Sequence, residues 1–353
     1  ARIEKRAYAL GVKSYVALDV TQDYYQHAIK YMIFGNVLKN STYPISVSSE
    51  RISQATAIAR YAREIGAYYL CHGSTGAGND QVRFDMIFNI VAPEIEVIAL
   101  IREKRLSREE EIEYLRSHGV DFDFKKAEYS INQGIWGTSV GGKETLTSSE
   151  TLPEEAYPSQ LKETEPRRVT LTFERGEFVA LDGKRYDDRI AAIQALQAVA
   201  SRYAVGRDMH VGDTIIGIKG RVGFEAAAPM VIIKAHHMLE KHTLTKWQLF
   251  WKDQISAFYG NHLHEGQYYD PVMRDMEAML ESSQRTVSGD VYVDLHPYRF
   301  VVVGIDSPHD LMSNRFGAYG ETMSDWTSED VKGFGRIFGN QNKIYYQVNK
   351  EKL

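Results

Sequence analysis

The densest set of chemistry-bearing residues lies in His72-Gly-Ser-Thr-Gly-Ala-Gly-Asn-Asp80, with Arg83 on the following turn. Glycines let a backbone come close to a ligand, and amides exposed where a helix begins favour an anion. Thr75, Asn79 and Asp80 add a hydroxyl, an amide and a carboxylate. Arg83 adds a planar fork that grips a carboxylate at two points, which lysine cannot copy. Together they could hold a zwitterion, Asp80 taking an ammonium and Arg83 a carboxylate. The run is no standard nucleotide motif: it lacks a closing Gly-Lys-Ser/Thr, and Gln81 stands where a dinucleotide fingerprint needs glycine. Without its polar residues it reads equally as a surface turn before a helix.

Hydroxyls gather elsewhere. Tyr43, Ser46, Ser48 and Ser49 precede a helical stretch, where a single serine would serve as a cap. Tyr129, Ser130 and Ser139 lie in unpatterned, Gly-rich chain, either as ligand contacts or as solvated loop. His236-His237 and His262-Leu-His264 lack a third partner at metal-ligand spacing, so no metal site is assigned. Cys71, inside an apolar run, reads as a core thiol. No Gly-x-Ser-x-Gly elbow occurs, and no side chain has the surroundings of a nucleophile.

The elements that must position these groups follow from periodicity. Arg2 to Leu10 reads as a helix closed by Gly11, as though the chain began within a domain. Ser14 to Val20 has strand character and Thr21 to Phe34 helical period. Ile52, Ala55, Ile58, Tyr61, Ala62 and Ile65 form one stripe stopped by Gly66. Strands at 67–71 and 96–101 flank the glycine loop and a helix from Gln81 to Val91. This alternation predicts an open parallel sheet with ligands beyond the carboxyl ends of its strands.

After a capping box at Ser107 to Glu110, residues 130–166 read as one long loop forming part of a site. The pattern then changes to α+β. A hairpin is expected at 169–181, a helix from Ile190 to Tyr203, and a helix striped by Leu244, Trp247, Trp251 and Phe258. Another helix is opened by Asp270-Pro271, and strands are expected at 291–295 and 300–305. The fold class expected is α/β: an open parallel-sheet nucleotide-binding domain over 1–120, incomplete at its N-terminus, an α+β synthetase domain over 121–318, and a C-terminal oligomerisation arm over 319–353.

At 353 residues the chain exceeds what one core usually serves. Forty-two Lys and Arg against 47 Asp and Glu, interspersed, argue against nucleic acid as the main partner. No stretch approaches the roughly 18 apolar residues of a membrane helix. One cysteine and a charged, non-apolar beginning point to the cytoplasm.

The run from His72 to Phe84 resembles the signature of the argininosuccinate synthase family. Tyr43, Ser48 and Arg51, Tyr129-Ser130 with Ser139, Val205-Gly-Arg207, Gly217-Ile-Lys219 with Arg221, and Ser307-Pro308 follow in family order, so the resemblance spans nearly the whole chain. It implies an ATP-dependent ligase of arginine biosynthesis that condenses citrulline with aspartate through a citrullyl-AMP intermediate, releasing AMP and pyrophosphate. ATP and Mg²⁺ would be required, and a homotetramer is implied. By matching positions, Tyr43, Ser48, Asn79, Arg83, Ser130 and Ser139 would hold citrulline. Thr75, Asn79 and Asp80 would hold aspartate, and Gly73 would line the ATP site. No residue is assigned a catalytic role, because the chemistry is positioning and charge stabilisation at phosphorus. The alternatives are a non-catalytic amino-acid-binding homologue and another adenylating ligase of the same nucleotide-binding fold.

Two departures accompany the resemblance. The sequence contains no Ser-Gly-Gly-x-Asp-(Ser/Thr)-Ser pyrophosphate loop, so an N-terminally truncated domain with weak nucleotide binding is expected. Gly212 and Phe224 stand where many members carry glutamate and tyrosine, leaving Asp213 or Glu225 as replacement acids.

Overall fold

Gly11, at φ +87°, closes the first helix, α1 (Arg2–Ala9), in the left-handed conformation that its place in the sequence predicts. The computed structural model describes residues 2–76, 78–106, 108–120, 129–312, 317, 319–321, 325–350 and 352. Two units result, Ala1–His309 and Asp310–Leu353. The boundary expected after 120 abuts residues 121–128, and that after 318 falls at residue 318. Both lie outside the described residues, as does Ser107 of the expected capping box.

Residues 14–20 form no strand; Val16 and Leu18 are exposed, and no neighbour pairs with them among the described residues. The next helix is real but not uniform. It runs as α2 (Thr21–Tyr24), a π turn (Tyr25–Ile29) and α3 (Lys30–Phe34). Helix α4 (Glu50–Glu64) buries Ile52, Ser53, Ala55, Thr56, Ala59 and Ala62, while Ile58 and Ile65 face out. Its inner face is lined by small residues because α5 packs closely along it.

Strand β1 (Tyr69–Cys71), helix α5 (Asp80–Val91) and strand β2 (Glu96–Ile98) form a βαβ unit whose strands pair in parallel. Alternation on β1 buries Leu70 and exposes Cys71, so the cysteine is not a core thiol. Helices α6 (Leu100–Lys104) and α7 (Arg108–Ser117) follow.

The segment read as a long loop contains a hairpin, β3 (Ser130–Gly134) and β4 (Gly137–Gly141). Glycine at its turn is required twice over: Gly137 has φ +122°, and a Cβ there would lie 2.8 Å from the Ala226 Cβ. The indole of Trp136 is enclosed at this turn. The expected hairpin at 169–181 forms as β5 (Arg167–Glu174) and β6 (Glu177–Leu181), extended by β7 (Lys184–Arg185). After α8 (Arg189–Ala200), strands β8 (Arg207–Asp213) and β9 (Lys219–Glu225) complete an antiparallel sheet of order β3-β4-β9-β8.

Helices α9 (Ala227–Thr243), α10 (Lys246–Glu265) and α11 (Val272–Ser283) precede β10 (Gly289–His296) and β11 (Arg299–Asp306), which join a second sheet of order β11-β10-β5-β6-β7. Helices α8 and α9 pack against that sheet. Helix α10 inverts the expected stripe: Trp247, Trp251 and Phe258 are exposed, and Lys252, Ser256, Tyr259 and Leu263 face inward.

The inward lysine explains the inversion. Lys252 Nζ lies 2.9 Å from Glu240 Oε2 and donates to the Phe34 carbonyl at 3.2 Å. Asn36 and Gln284 amides donate to the two oxygens of the same carboxylate at 2.6 and 2.9 Å. Burial pushes the Glu240 carboxyl up, but the nearby positive charge and these donors outweigh it and hold it below the ordinary range. The second unit carries α12 (Ser328–Phe338) and α13 (Asn340–Asn349), with Phe334, Ile337, Phe338, Tyr345 and Val348 exposed. No helix among the described residues is long and apolar enough to cross a membrane.

Candidate functional site

Three parts of the first unit converge on one cleft of about 770 Å³. The loop after β1 supplies Gly73, Thr75 and Asn79, and α5 supplies Asp80 and Arg83; the turn ahead of α4 supplies Tyr43 and Ser48, and the first turn of α4 supplies Arg51; the antiparallel sheet supplies Ser130 and Ser139. Every residue that the resemblance assigned to citrulline, aspartate or ATP lines the same space, joined by His72, Asn132, His210, Gly212, Asp213, Arg221 and His264, whereas Ser46, Ser49 and Tyr129 do not line it. Ser130 and Ser139 stand on paired strands, not on loop: Ser139 is opposite Asn132 on one side and Phe224 on the other.

Hydrogen bonds fix the glycine loop. Gln81 Nε2 donates to the carbonyls of Gly76 and Gly78 at 2.6 and 3.2 Å. The Ser74 amide donates to His72 Nδ1 at 3.2 Å, which leaves His72 Nε2 to donate to Asp85 at 2.8 Å. Asn79 does not cap its own helix; its Oδ1 accepts from the Ile215 amide at 2.9 Å, tying the loop to the β8–β9 turn.

Charge concentrates at Asp80. Arg51 Nε reaches Asp80 Oδ2 at 3.0 Å and Arg83 Nη1 reaches Oδ1 at 2.8 Å. The carboxylate is still 37% exposed, so a ligand cation has room to approach it. Arg83 is buried, which pulls its pKa below the usual value against the pull of Asp80. Its Nε donates to the His264 carbonyl at 2.8 Å. Its Nη2 lies 3.4 Å from His264 Nε2, so that nitrogen accepts and Nδ1 donates to Ser48 Oγ at 2.9 Å. Burial, then the Arg83 charge, lowers the His264 pKa to about 2, which keeps the ring neutral.

Tyr43 is buried, and burial raises its pKa. Its hydroxyl accepts from Ser46 Oγ at 3.2 Å, and its ring stacks on His210 with centroids 5.1 Å apart. Between Tyr43 and Ser48, Ile45 adopts φ +47°, a strained conformation for a β-branched residue, and its carbonyl accepts from Ser49 Oγ at 2.8 Å. Of the two replacement acids, Asp213 lines the cleft and pairs with Lys219 at 2.6 Å. Glu225 is buried against Arg207 at 3.0 Å and is not part of the lining.

Metal-ligand spacing set His264 aside and His210 was not singled out from the sequence, yet both border the cleft. Their partners, Ser48 and Tyr43, lie more than 150 residues away in the chain, so no local spacing announces them. Among the described residues no three His, Cys, Asp or Glu side chains converge to hold a metal ion.

Comparison with known proteins finds two matching family models. The argininosuccinate synthase N-terminal HUP domain matches residues 1–121, and the argininosuccinate synthase C-terminal domain matches residues 129–345. The expectation of an N-terminally truncated domain gains no support from the first match, which runs from residue 1. Named relatives include the argininosuccinate synthases of Dictyoglomus turgidum, 34% identical over 97% of this chain and 86% of the relative, and of Xanthomonas campestris, 36% identical over 99% and 88%. The Methanocaldococcus jannaschii argininosuccinate synthase is 31% identical over 99% of this chain and 88% of the relative.

Proposed function

The chain belongs to the argininosuccinate synthase family, and from that premise we propose that its cleft binds citrulline and aspartate side by side. It joins them, with ATP as co-substrate, into argininosuccinate as a ligase of arginine biosynthesis. The observation that carries this reading is the convergence of Thr75, Asn79, Asp80 and Arg83 with Tyr43, Ser48, Ser130 and Ser139 on one cleft. Asp80, Asn79 and Thr75 receive aspartate, the carboxylate facing the amino acid's ammonium. Arg83, Ser48, Tyr43, Ser130, Ser139 and Asn79 receive citrulline, and Gly73 lies along the nucleotide.

The reaction needs no protein nucleophile. The ureido oxygen of citrulline attacks the α-phosphorus of ATP, a P–O bond forms, and pyrophosphate leaves. The ammonium of aspartate first gives up a proton to solvent; the neutral amine then attacks the activated ureido carbon, the C–O bond to AMP breaks, and AMP leaves with the bonding pair as a guanidinium forms. The chain contributes orientation and charge: two arginines beside Asp80 hold the loop in place, and neutral His264 fixes Ser48 and Arg83 without adding a cation. Mg²⁺ enters as the counter-ion of ATP.

The enzyme works in the cytoplasm as a homotetramer, with residues 1–120 as its nucleotide-binding part, 121–318 as its synthetase part and 319–353 as an arm on another copy. Exposed Phe334, Phe338 and Tyr345 support that last assignment. Calorimetric titration of argininosuccinate, which spans both amino-acid sites, tests the reading. Saturable binding that Asp80→Ala or Arg83→Ala abolishes supports it. Folded protein that does not bind the product overturns it.

A further inference from the structure

Strand β8 carries a glycine whose missing side chain is filled by a neighbour. A Cβ at Gly212 would lie 2.4 Å from His210 Nε2, inside the space the imidazole occupies. Any side chain at 212 would therefore force the ring to move. His210 is 5% exposed and lies nearly parallel to Tyr43, at 23°. Neither ring nitrogen has a hydrogen-bond partner among the described residues: Nδ1 is enclosed without one, and Nε2 lies over Gly212, itself part of the cleft lining. An unpartnered buried polar group costs about 1–3 kcal/mol, so its retention calls for a cause. Trp136 Nε1 and Glu144 Oε2 are also enclosed without partners, but neither residue borders the cleft. His210 does.

The ring is neutral at pH 7, because burial and then the charge of Lys39 hold its pKa below the ordinary value. A neutral imidazole offers one donor and one acceptor. A ureido group, with amide hydrogens and a carbonyl, can meet Nε2 as donor or acceptor, whichever tautomer the ring holds, without bringing a charge toward Lys39. Two assigned citrulline residues flank the spot. Tyr43 stacks on the ring, and Ser139 pairs with Phe224, whose own ring tilts against Tyr43 at 5.4 Å.

We propose that His210 is a substrate-positioning residue whose imidazole hydrogen-bonds the ureido head of citrulline, in space that Gly212 leaves open. This rests on the citrulline and aspartate reading above and adds a residue that the resemblance did not supply. The test is calorimetric titration of L-citrulline, L-norvaline and L-aspartate into the wild type, His210→Phe and His210→Gln. Norvaline keeps the amino-acid end and three side-chain carbons but lacks the ureido group. His210→Phe keeps the stack on Tyr43 and should weaken citrulline about 10-fold while norvaline and aspartate stay within about 2-fold. His210→Gln, with an amide near the position of Nε2, should recover most of the loss. Gly212→Ala should weaken citrulline in the wild type but add nothing in a His210→Ala background, because the ring it displaces is gone.

Equal weakening of citrulline and norvaline by His210→Phe would mean a packing role and overturn the inference. So would unchanged citrulline binding in a variant whose wild type binds both amino acids. A wild type that binds neither citrulline nor aspartate overturns the functional reading itself, and this inference with it.

Discussion

Replacing Lys252 with Met removes the cation from a carboxylate that no water reaches. Both side chains are wholly buried, with Nζ 2.9 Å from Glu240 Oε2. At an effective dielectric of about 20 the pair is worth roughly 6 kcal/mol before desolvation. Losing one partner from such a pair costs about 3–5 kcal/mol, because the other charge stays buried. The Asn36 and Gln284 amides would remain, at 2.6 and 2.9 Å. They soften the loss without cancelling it. Lys252→Met should therefore lower the thermal midpoint by roughly 4–7 °C at pH 8.

The penalty should depend on pH. Without the lysine the Glu240 carboxyl is held down less than in the wild type, so the deficit against wild type is full where the carboxyl is ionised in both and shrinks as pH falls through the variant's higher pKa. Melting at pH 5.5 and pH 8 should show a smaller deficit at the lower pH. The double variant Lys252→Met, Glu240→Leu should melt well above the single one, since no lone charge remains. Circular dichroism and calorimetry both read this. A single variant within about 1 kcal/mol of wild type, or a double variant no better than the single, would refute the account of α10.

Other expectations are as direct. Arg83→Lys keeps the charge but cannot serve Asp80, the His264 carbonyl and His264 Nε2 together; product affinity should fall at least 10-fold by calorimetry. Asn79→Ala frees the Ile215 amide, and hydrogen exchange there should speed while global melting moves little. Gly206 has φ +75° and room for no Cβ, the Ala226 carbonyl oxygen lying 2.6 Å away. Gly206→Ala should cost about 2 kcal/mol or more on denaturant titration. His264 titrates near 2 when folded and near 6.5 when unfolded, so the unfolded state binds the extra proton. The stability contributed by a neutral His264 should be fully present above about pH 6.5 and be lost by about 1.4 kcal/mol per unit below it. His264→Gln should flatten that slope, and an unchanged slope would count against a neutral buried ring.

The βαβ unit, its glycine loop and the two sheet hairpins at 169–181 and 291–305 were legible because each is a local pattern of period and turn residues. The failures share a physical cause. Ser14 to Val20 has strand composition, but a strand exists only with a partner, and none pairs with it among the described residues. Gly137 reads as loop because glycine does, whereas the fold uses it to pass Ala226 at close range. The stripe on α10 was read outside in, since a lysine counts as polar until Glu240, on another helix, is seen to meet it. The loop residues of the cleft were found by type and spacing. His210 and His264 were not, because their meaning lies in what stacks or bonds with them across the chain.

The placement of tryptophans gives the protein a built-in optical reporter. Trp247, Trp251 and Trp326 are 64%, 59% and 49% exposed, while Trp136 is fully enclosed. Acrylamide should darken the first three and leave a blue-shifted residue of emission from Trp136 alone. That indole sits at the turn between the strands bearing Ser130 and Ser139. Occupancy of the cleft should thus be visible in the unquenched light, with no label attached and no substrate consumed.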